Sequence, residues 1–162
     1  MGNPAKVYEV LRDLKIEYMK HEHPPVFTVE DTLQYYEDIE GVKCKNLFLR
    51  NKKGDQHYLV VVEDSKPINI KELSQKLGTS VLSFGSAERL DKYLGLVPGE
   101  VSPFGLINDV EKHVKVILDK DFLRAEKINF HPNVNTATLT LTYEDFKKFL
   151  DWTGHKIQYE TL

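Results

Sequence analysis

The segment Leu94–Asp109, LGLVPGEVSPFGLIND, restricts the possible folds of the chain more than any other part. It contains three glycines and two prolines among polar residues, and no helical or strand period runs through it. Glycine adopts positive φ and lets a backbone approach a ligand, whereas proline fixes φ and removes a donor. A stretch of this length and composition is typical of a functional loop. Composition alone favours a ligand-binding loop and a plain connector about equally.

A second segment, Phe130–Leu141 (FHPNVNTATLTL), runs from a polar cluster directly into an alternating apolar strand. The polar members are His131, Asn133, Asn135, Thr136 and Thr138. Hydrogen-bonding groups at the start of a rigid element are a common way to build a binding site. The same asparagines and threonines could instead bond their own backbone and shape a bend.

The hydrophobic periods of the chain predict an α+β fold. We predict helices after Asn3-Pro4, from Val29 to about Ile39 after Thr28, from Asn69 to Gly78, from Ser86 to Gly95, and from Thr142 to Gly154. We predict strands at Ile16–Lys20, Asn46–Arg50, His57–Val62, Val114–Leu118, Lys127–Phe130 and Ala137–Leu141. This order is too irregular for a doubly wound sheet. We therefore predict one domain over residues 1–162, with a mixed, largely antiparallel sheet flanked by helices.

Composition excludes several classes of function. The net charge of -3 argues against broad electrostatic capture of nucleic acid, so any RNA contact must be local. A single cysteine excludes an intramolecular disulfide framework and a cysteine-based zinc site. We find no apolar run of membrane-spanning length and no signal-peptide pattern, and we therefore expect a cytoplasmic protein without membrane contact.

Individual side chains each allow two interpretations. Lys45, which opens an apolar strand, is by residue type alone an exposed lysine at a strand edge rather than a site lysine. His131 is a candidate general base, although a local hydrogen bond that orients the following turn is slightly favoured. Ser102 lacks a Gly-x-Ser-x-Gly surrounding and precedes Pro103, so we do not predict a serine nucleophile.

Two further residue patterns suggest a metal site and a reactive thiol, but neither pattern is complete. His21 and His23 have the spacing of a strand-borne metal pair, yet no third ligand clusters with them. Cys44 precedes an apolar strand and is more typical of a small buried hydrophobic residue than of a thiolate. We therefore predict neither a metal site nor a cofactor.

Three motifs together resemble the YbaK/ProX family of free-standing prolyl-tRNA editing proteins. They are Gly41–Leu49 (GVKCKNLFL), Gly99–Pro103 (GEVSP, a Gly-x-x-x-Pro loop) and the His131–Thr138 run (HPNVNTAT), in the order of the family. Lys45 stands where the family carries its functional lysine, whereas Lys43 stands where several relatives have histidine. The resemblance implies the editing-domain-like fold and an aminoacyl-tRNA deacylase.

The resemblance also implies a substrate and roles for residues. It predicts a trans-editing hydrolase that deacylates mischarged tRNA, with Ala-tRNA(Pro) as the expected substrate and the terminal ribose hydroxyl of the substrate assisting water. Lys45 would bind the terminal nucleotide or stabilise charge on the ester. The remaining predicted substrate-binding residues are Gly99, Ser102, Pro103, Phe104 and Gly105, with His131, Asn135 and Thr136 shaping the pocket.

Two alternatives and the partners follow from the same resemblance. The first is a Cys-tRNA(Pro) deacylase of the same family, which would catalyse the same ester hydrolysis on another substrate. The second is a non-catalytic tRNA- or synthetase-binding module, which would share only the fold. The expected partners are an aminoacyl-tRNA of the tRNA(Pro) type and, transiently, prolyl-tRNA synthetase, with the protein itself a monomer. The densest basic stretch for RNA contact consists of Lys43, Lys45, Arg50, Lys52 and Lys53.

Overall fold

An eight-stranded mixed sheet organises the computed structural model, which describes residues 4–24, 41–134 and 136–162. The strands are β1 Met19–Glu22, β2 Val42–Arg50, β3 His57–Glu63, β4 Ser83–Phe84, β5 Val114–Asp119, β6 Lys127–Phe130, β7 Ala137–Thr142 and β8 Ile157–Glu160. The described part also contains the helices α1 Pro4–Asp13, α2 Ile70–Lys76, α3 Ala87–Leu94 and α4 Tyr143–Thr153, and the 3-10 helices η1 Pro103–Asn108 and η2 Lys120–Arg124.

The strand order is β1-β7-β6-β2-β3-β5-β8, with β4 beside β2. The pairs β1/β7, β7/β6, β2/β3 and β2/β4 are antiparallel, and the pairs β6/β2, β3/β5 and β5/β8 are parallel. Helices lie on both faces of the sheet. The predicted α+β class with a mixed, largely antiparallel sheet is therefore confirmed.

Helix ends follow the local sequence. The side-chain oxygens of Asn69, Ser86 and Thr142 each accept the backbone N–H three residues later, as the predicted N-caps of α2, α3 and α4. Gly95 and Gly154 follow α3 and α4 with φ of 65° and 74°. This left-handed conformation suits glycine, and it ends both helices where the sequence predicts.

Several predicted boundaries are wrong. The first strand is Met19–Glu22, and Ile16, which we placed in it, is instead buried in the core ahead of it. Strand β2 starts at Val42, so Lys45 lies within the strand and does not open it. Strands β4 and β8 and both 3-10 helices were not predicted. The helix expected from Val29 to Ile39 lies outside the described residues.

The core has two parts, one on each face of the sheet. The larger part packs α1, α3, α4 and η1 on the sheet and contains the fully buried Phe104, Phe146 and Phe149. The smaller part lies under α2, around Leu49 and Leu73. Each such side chain contributes about 1.5–3 kcal/mol through burial, which fixes the helices to the sheet. Strand β3 lies between both parts and is buried from His57 through Val62, as is usual for a strand that is covered on both faces.

One edge of β2 is paired only at its two ends. Strand β6 pairs with β2 at Val42 and Lys43, and β4 pairs with it at Leu49 and Arg50. No strand of the described chain pairs with this edge over residues 44–47, whereas the other edge continues along β3. We call residues 44–47 on this edge the β2 opening.

Candidate functional site

Lys45 lies in the β2 opening. Because side chains alternate along a strand, Lys45 shares a face with Leu47 and Leu49, which pack on the core under α2. The Lys45 side chain is half-buried, and its Nζ donates a hydrogen bond to the backbone carbonyl of Lys66. An ammonium group has three N–H donors, and this bond uses one of them. The Lys45 ammonium group is therefore held at a fixed place against the turn that follows β3.

His131 directly follows β6. The pairing of β6 with β2 ends at Lys43 and Asn129, so His131 lies two residues beyond the last paired residue of that strand. Its Nδ1 lies 2.8 Å from the carbonyl oxygen of Ala137. Because a carbonyl only accepts, Nδ1 carries the proton and the lone pair of the neutral ring is on Nε2.

Burial lowers the pKa of His131, and the nearby His23 ring, 6.1 Å away between centroids, lowers it further. The hydrogen bond to Ala137 opposes this effect without reversing it. His131 is therefore neutral near pH 7. Its local bond to Ala137 is the orienting hydrogen bond that the sequence favoured.

Ser102 joins the Gly-x-x-x-Pro loop to the segment of His131. Its side chain is fully buried, and Oγ donates to the His131 carbonyl at 2.5 Å while accepting the N–H of Phe104 at 3.2 Å. The second bond makes Ser102 the N-cap of η1. Because Oγ is engaged in both directions, the Ser102 side chain joins the two segments, and its predicted contact with substrate stays a prediction.

Gly99, at the start of the loop, is exposed and has φ of 90°. A Cβ atom placed on it would meet nothing within 4 Å in the described chain. The Gly99 backbone thus borders open space and adopts a conformation that an L-residue rarely takes. Both properties suit a loop whose backbone approaches a ligand.

Pro103, Phe104 and Gly105 are buried and form the first turn of η1. The Phe104 ring packs edge-on against Phe130 and Phe149, with centroids 6.1 Å and 5.0 Å away. These residues therefore support the loop from the core side, and their predicted contact with substrate stays a prediction. Thr136 is exposed, and Asn135 lies outside the described residues.

A polar layer covers the face of β6 and β7 that points away from the larger core. His23 Nε2 lies 2.9 Å from Thr138 Oγ1, and Thr140 Oγ1 donates to Asn129 Oδ1 at 2.5 Å. Asn129 Nδ2 in turn donates to the Val42 carbonyl at 3.3 Å, so the layer reaches β2. The alternation Thr138, Leu139, Thr140 in the sequence was a signal for it, but Asn129 gave none.

Two buried side-chain acceptors have no hydrogen-bond partner among the described residues. They are Asn46 Oδ1, in the β2 opening, and Asn133 Oδ1, two residues after His131. An unpartnered buried acceptor destabilises a fold by about 1–3 kcal/mol, and an N–H or O–H group of a ligand would remove that penalty. Only its burial distinguishes Asn46 from an ordinary strand residue, so the sequence pattern does not identify it.

The remaining candidate groups are unsuited to nucleophilic or metal chemistry. Burial raises the pKa of the Cys44 thiol, so this residue stays protonated. The described residues contain no cluster of three or more His, Cys, Asp or Glu side chains that could hold a metal ion. The site thus offers a lysine charge, loop backbone and unpartnered acceptors, which bind and polarise a substrate. No described helix has the length and apolar character to cross a membrane.

Comparisons with known proteins agree on the family. The family model for the aminoacyl-tRNA editing domain matches residues 23–149. The chain is 46% identical over 157 residues to the prolyl-tRNA editing protein ProX of Acetoanaerobium sticklandii, covering 96% of this chain and 94% of that protein. It is 38% identical over 155 residues to the prolyl-tRNA synthetase associated domain-containing protein 1 of Bos taurus, covering 93% and 90% of the two chains.

Solved structures show the same fold. The crystal structure of a proposed trans-editing enzyme for prolyl tRNA synthetase has a TM-score of 0.69 at 19% identity, covering 100% of this chain and 99% of that chain. The crystal structure of the hypothetical protein APE2540 has a TM-score of 0.73 at 19% identity, covering 95% and 97% of the two chains. The chain therefore belongs to the aminoacyl-tRNA editing domain family, which confirms the family and the deacylase activity predicted from its sequence.

Proposed function

We propose that this protein is a trans-editing hydrolase that removes alanine from mischarged tRNA(Pro). The observation that carries the proposal is the half-buried side chain of Lys45, whose ammonium group is held by the Lys66 carbonyl. Lys45 belongs to the strand that pairs with β6, and Ser102 joins the segment after β6 to the Gly-x-x-x-Pro loop. The 46% identical relative from Acetoanaerobium sticklandii is a prolyl-tRNA editing protein, which supports tRNA(Pro) as the carrier.

Each part of the site has a role in ester hydrolysis. Lys45 binds a phosphate of the terminal nucleotide or the ester carbonyl oxygen, where charge develops. The Gly99–Ser102 backbone holds the aminoacyl group. Asn46 Oδ1 and Asn133 Oδ1, which have no partner in the part of the chain that the structure describes, accept from the amino group or a ribose hydroxyl. An aminoacyl ester is already activated, so orientation and polarisation account for catalysis.

The proposed nucleophile is water, assisted by the hydroxyl of the terminal ribose. This assignment is supported by the state of the candidate nucleophiles and bases of the protein. The Ser102 hydroxyl donates to a carbonyl and Cys44 stays a thiol. The lowered pKa of His131 makes it a weaker base than an ordinary histidine. The substrate therefore supplies the assisting group.

Size provides the proposed specificity. A synthetase pocket built for proline rejects a smaller amino acid weakly, because missing methylene groups are worth only about 1–3 kcal/mol. A second site that admits alanine and excludes the proline ring corrects this error. Cysteine is also small, so removal of cysteine from tRNA(Pro) is the competing outcome of the same site.

The partners and location complete the proposal. The substrate is an aminoacyl-tRNA, and the relative named as prolyl-tRNA synthetase associated supports a transient contact with that synthetase. Arg50, Lys52 and Lys53, at and after the end of β2, provide local positive charge for the acceptor end despite the net charge of -3. We propose a monomeric, cytoplasmic enzyme whose single editing domain spans residues 1–162.

Deacylation assays test the proposal. We would incubate the protein with alanyl-, cysteinyl- and prolyl-tRNA(Pro) in the presence of a chelator. We expect rapid loss of alanine with proline spared. Preferential loss of cysteine would mean that the protein catalyses the same ester hydrolysis with Cys-tRNA(Pro) as its substrate. Survival of all three esters at their spontaneous rates would refute this activity and favour the binding module.

Substitution of Lys45 tests the site itself. Lys45→Ala should lower kcat/KM by about 100-fold or more, because the charge that meets the substrate is lost. Lys115→Ala, on strand β5 away from the opening, is the matched control and should retain activity. Circular dichroism and thermal unfolding should show both variants folded. Near-normal turnover by Lys45→Ala would remove Lys45 from the site.

A further inference from the structure

The Lys66 carbonyl holds the ammonium group of Lys45, and the Lys66 side chain is itself held by two carboxylates. We propose that Lys66 is a positioning residue for the deacylation reaction, in which its ion pairs with Asp119 and Asp121 fix the turn whose carbonyl aims Lys45. This inference rests on the proposed role of Lys45. Nothing in the sequence motifs points to Lys66.

The carboxylate contacts are short and partly buried. Lys66 Nζ lies 2.6 Å from Asp119 Oδ2 and 2.5 Å from Asp121 Oδ2. The Asp119 side chain is only 1% exposed, and its Oδ1 accepts the N–H of Asp121 at 3.2 Å as the N-cap of η2. A buried carboxylate needs a cation, so Asp119 holds the Lys66 ammonium group in place.

Backbone hydrogen bonds connect the turn that contains Lys66 to β2. The Lys66 N–H donates to the Glu63 carbonyl at 3.1 Å, which closes a turn directly after β3. The Asp64 N–H donates to the Lys43 carbonyl at 2.8 Å, which ties the same turn to β2 two residues before Lys45. The turn is thus attached to β2 by its backbone and to β5 and η2 by the Lys66 side chain.

Charge balance supports the same arrangement. Two carboxylates against one ammonium group leave the Lys66 cluster with a net charge of -1, which attracts a second cation to its edge. The Lys66 side chain contacts these carboxylates, while its carbonyl contacts Lys45. Removing the Lys66 side chain therefore preserves the acceptor of Lys45 but releases the turn that positions it.

The test uses three variants of the full chain. Lys66→Met combined with Asp119→Asn removes both charges without leaving a buried carboxylate unpaired, and asparagine keeps an oxygen for the cap of η2. Lys66→Arg preserves the ion pairs. Lys76→Met is the matched control, because Lys76 is a lysine of α2 whose Nζ donates to the Thr161 carbonyl at 2.5 Å.

Two measurements are made on each variant. The first is kcat and KM for deacylation of alanyl-tRNA(Pro). The second is the rate at which acetic anhydride acetylates Lys45, followed by mass spectrometry, which needs no substrate. Thermal unfolding confirms that each variant is folded. A purely structural role of Lys66 would change the unfolding temperature but neither the acetylation rate of Lys45 nor kcat.

In the double variant we expect kcat to fall about 10- to 100-fold with KM changed less than about three-fold, because the reacting groups lose alignment. Lys45 acetylation should rise about three-fold or more, since the released turn no longer holds the Lys45 amine against the Lys66 carbonyl and the reagent reaches it more easily. Lys66→Arg and Lys76→Met should match the parent protein in both measurements.

An unchanged acetylation rate of Lys45 in the folded double variant overturns the inference, and so does an unchanged kcat. If the parent protein shows no deacylation, the proposed function fails, and the acetylation rates alone then decide whether Lys66 positions Lys45. The failure of one proposal is in this way distinguished from the failure of the other.

Discussion

Gly99 and Gly78 have nearly the same backbone and steric surroundings but lie in different places. Their φ values are 90° and 66°, and a Cβ atom on either would meet nothing within 4 Å in the described chain. An L-residue in this conformation destabilises the fold by about 1–2 kcal/mol. Gly78 lies after α2, whereas Gly99 begins the loop that we assign to the aminoacyl group. A comparison of alanine variants at Gly78 and Gly99 therefore separates the effect of backbone strain on stability from an effect of the Gly99 loop on turnover.

Gly99→Ala should lower kcat/KM about ten-fold, because a methyl group enters the space where we place the substrate. Gly78→Ala should lose the same amount of unfolding free energy and keep full turnover. Urea unfolding and deacylation kinetics of both variants check this expectation. Equal turnover of both variants would mean that the Gly99 loop is a plain connector.

At the residue level, the sequence pointed to Lys45 and His131 through motifs but could not give their partners. The acceptor of Lys45 is a carbonyl 21 residues further along the chain, and the acceptor of the His131 ring is the Ala137 carbonyl. Motifs record residue types, whereas these bonds depend on how β2, β3 and β6 meet. Phe104 was selected by its motif position, and the packing of its ring against Phe149 is likewise a contact that the motif could not give.

At the level of elements, η1 connects the two loop segments of the site through its cap. Ser102→Ala removes the bond to Phe104 N and leaves the His131 carbonyl without its donor. We expect a loss of about 1–3 kcal/mol of unfolding free energy together with reduced turnover, because both segments lose their common anchor. Chemical unfolding and kcat/KM measure the two effects.

Ser86→Ala is the matched control for Ser102→Ala. Ser86 caps α3 by accepting the N–H of Arg89 at 3.2 Å, and it has no bond to the His131 segment. Its loss should lower the unfolding free energy by about 1 kcal/mol and leave turnover unchanged. A comparable loss of turnover in the two variants would contradict a specific role for the Ser102 anchor.

The elements that the sequence predicted well are those whose ends are set by neighbouring residues. The caps Asn69, Ser86 and Thr142 each bond within three residues, so a local pattern suffices to find them. Strand β4 has only two residues, too few to show a period. The parallel pairing of β6 with β2, which creates the opening, joins residues more than 80 positions apart.

At the level of the whole molecule, His57 makes stability depend on pH. His57 is 1% exposed, and its Nε2 lies 3.0 Å from Arg89 Nη1. A guanidinium group only donates, so Nε2 must be unprotonated. Burial first, and then the charge of Arg89, lower the pKa of His57 to about 4. The folded state therefore binds the proton more weakly than the unfolded chain does.

The lowered pKa of His57 sets the direction in which the free energy of unfolding changes with pH. The stability that neutral His57 contributes is complete above about pH 6.5, the ordinary pKa of histidine, and is lost as the pH falls towards 4. The loss should amount to roughly 2–3 kcal/mol. The lowered pKa of His131 acts in the same direction. Hydrogen bonds outweigh burial to lower the pKa of Asp109, so its contribution is lost only below about 3.8.

Urea unfolding between about pH 7.5 and 4.5 measures this loss. In His57→Gln, whose amide oxygen can still accept from Arg89, the decline should be clearly shallower than in the parent protein. Identical pH dependence in the two proteins would show that other groups cause the decline.

The two edges of β2 differ in how many residues they pair, and this difference affects which strands separate first. In the described part of the chain, strands β1, β7 and β6 pair with the rest of the sheet through Val42 and Lys43, whereas β2 and β3 pair continuously from Cys44 to Arg50. Separating β6 from β2 therefore breaks fewer strand-pairing hydrogen bonds than separating β2 from β3. The β6/β2 pairing ends at the β2 opening, so we expect this edge of β2 to separate before its pairing with β3 does.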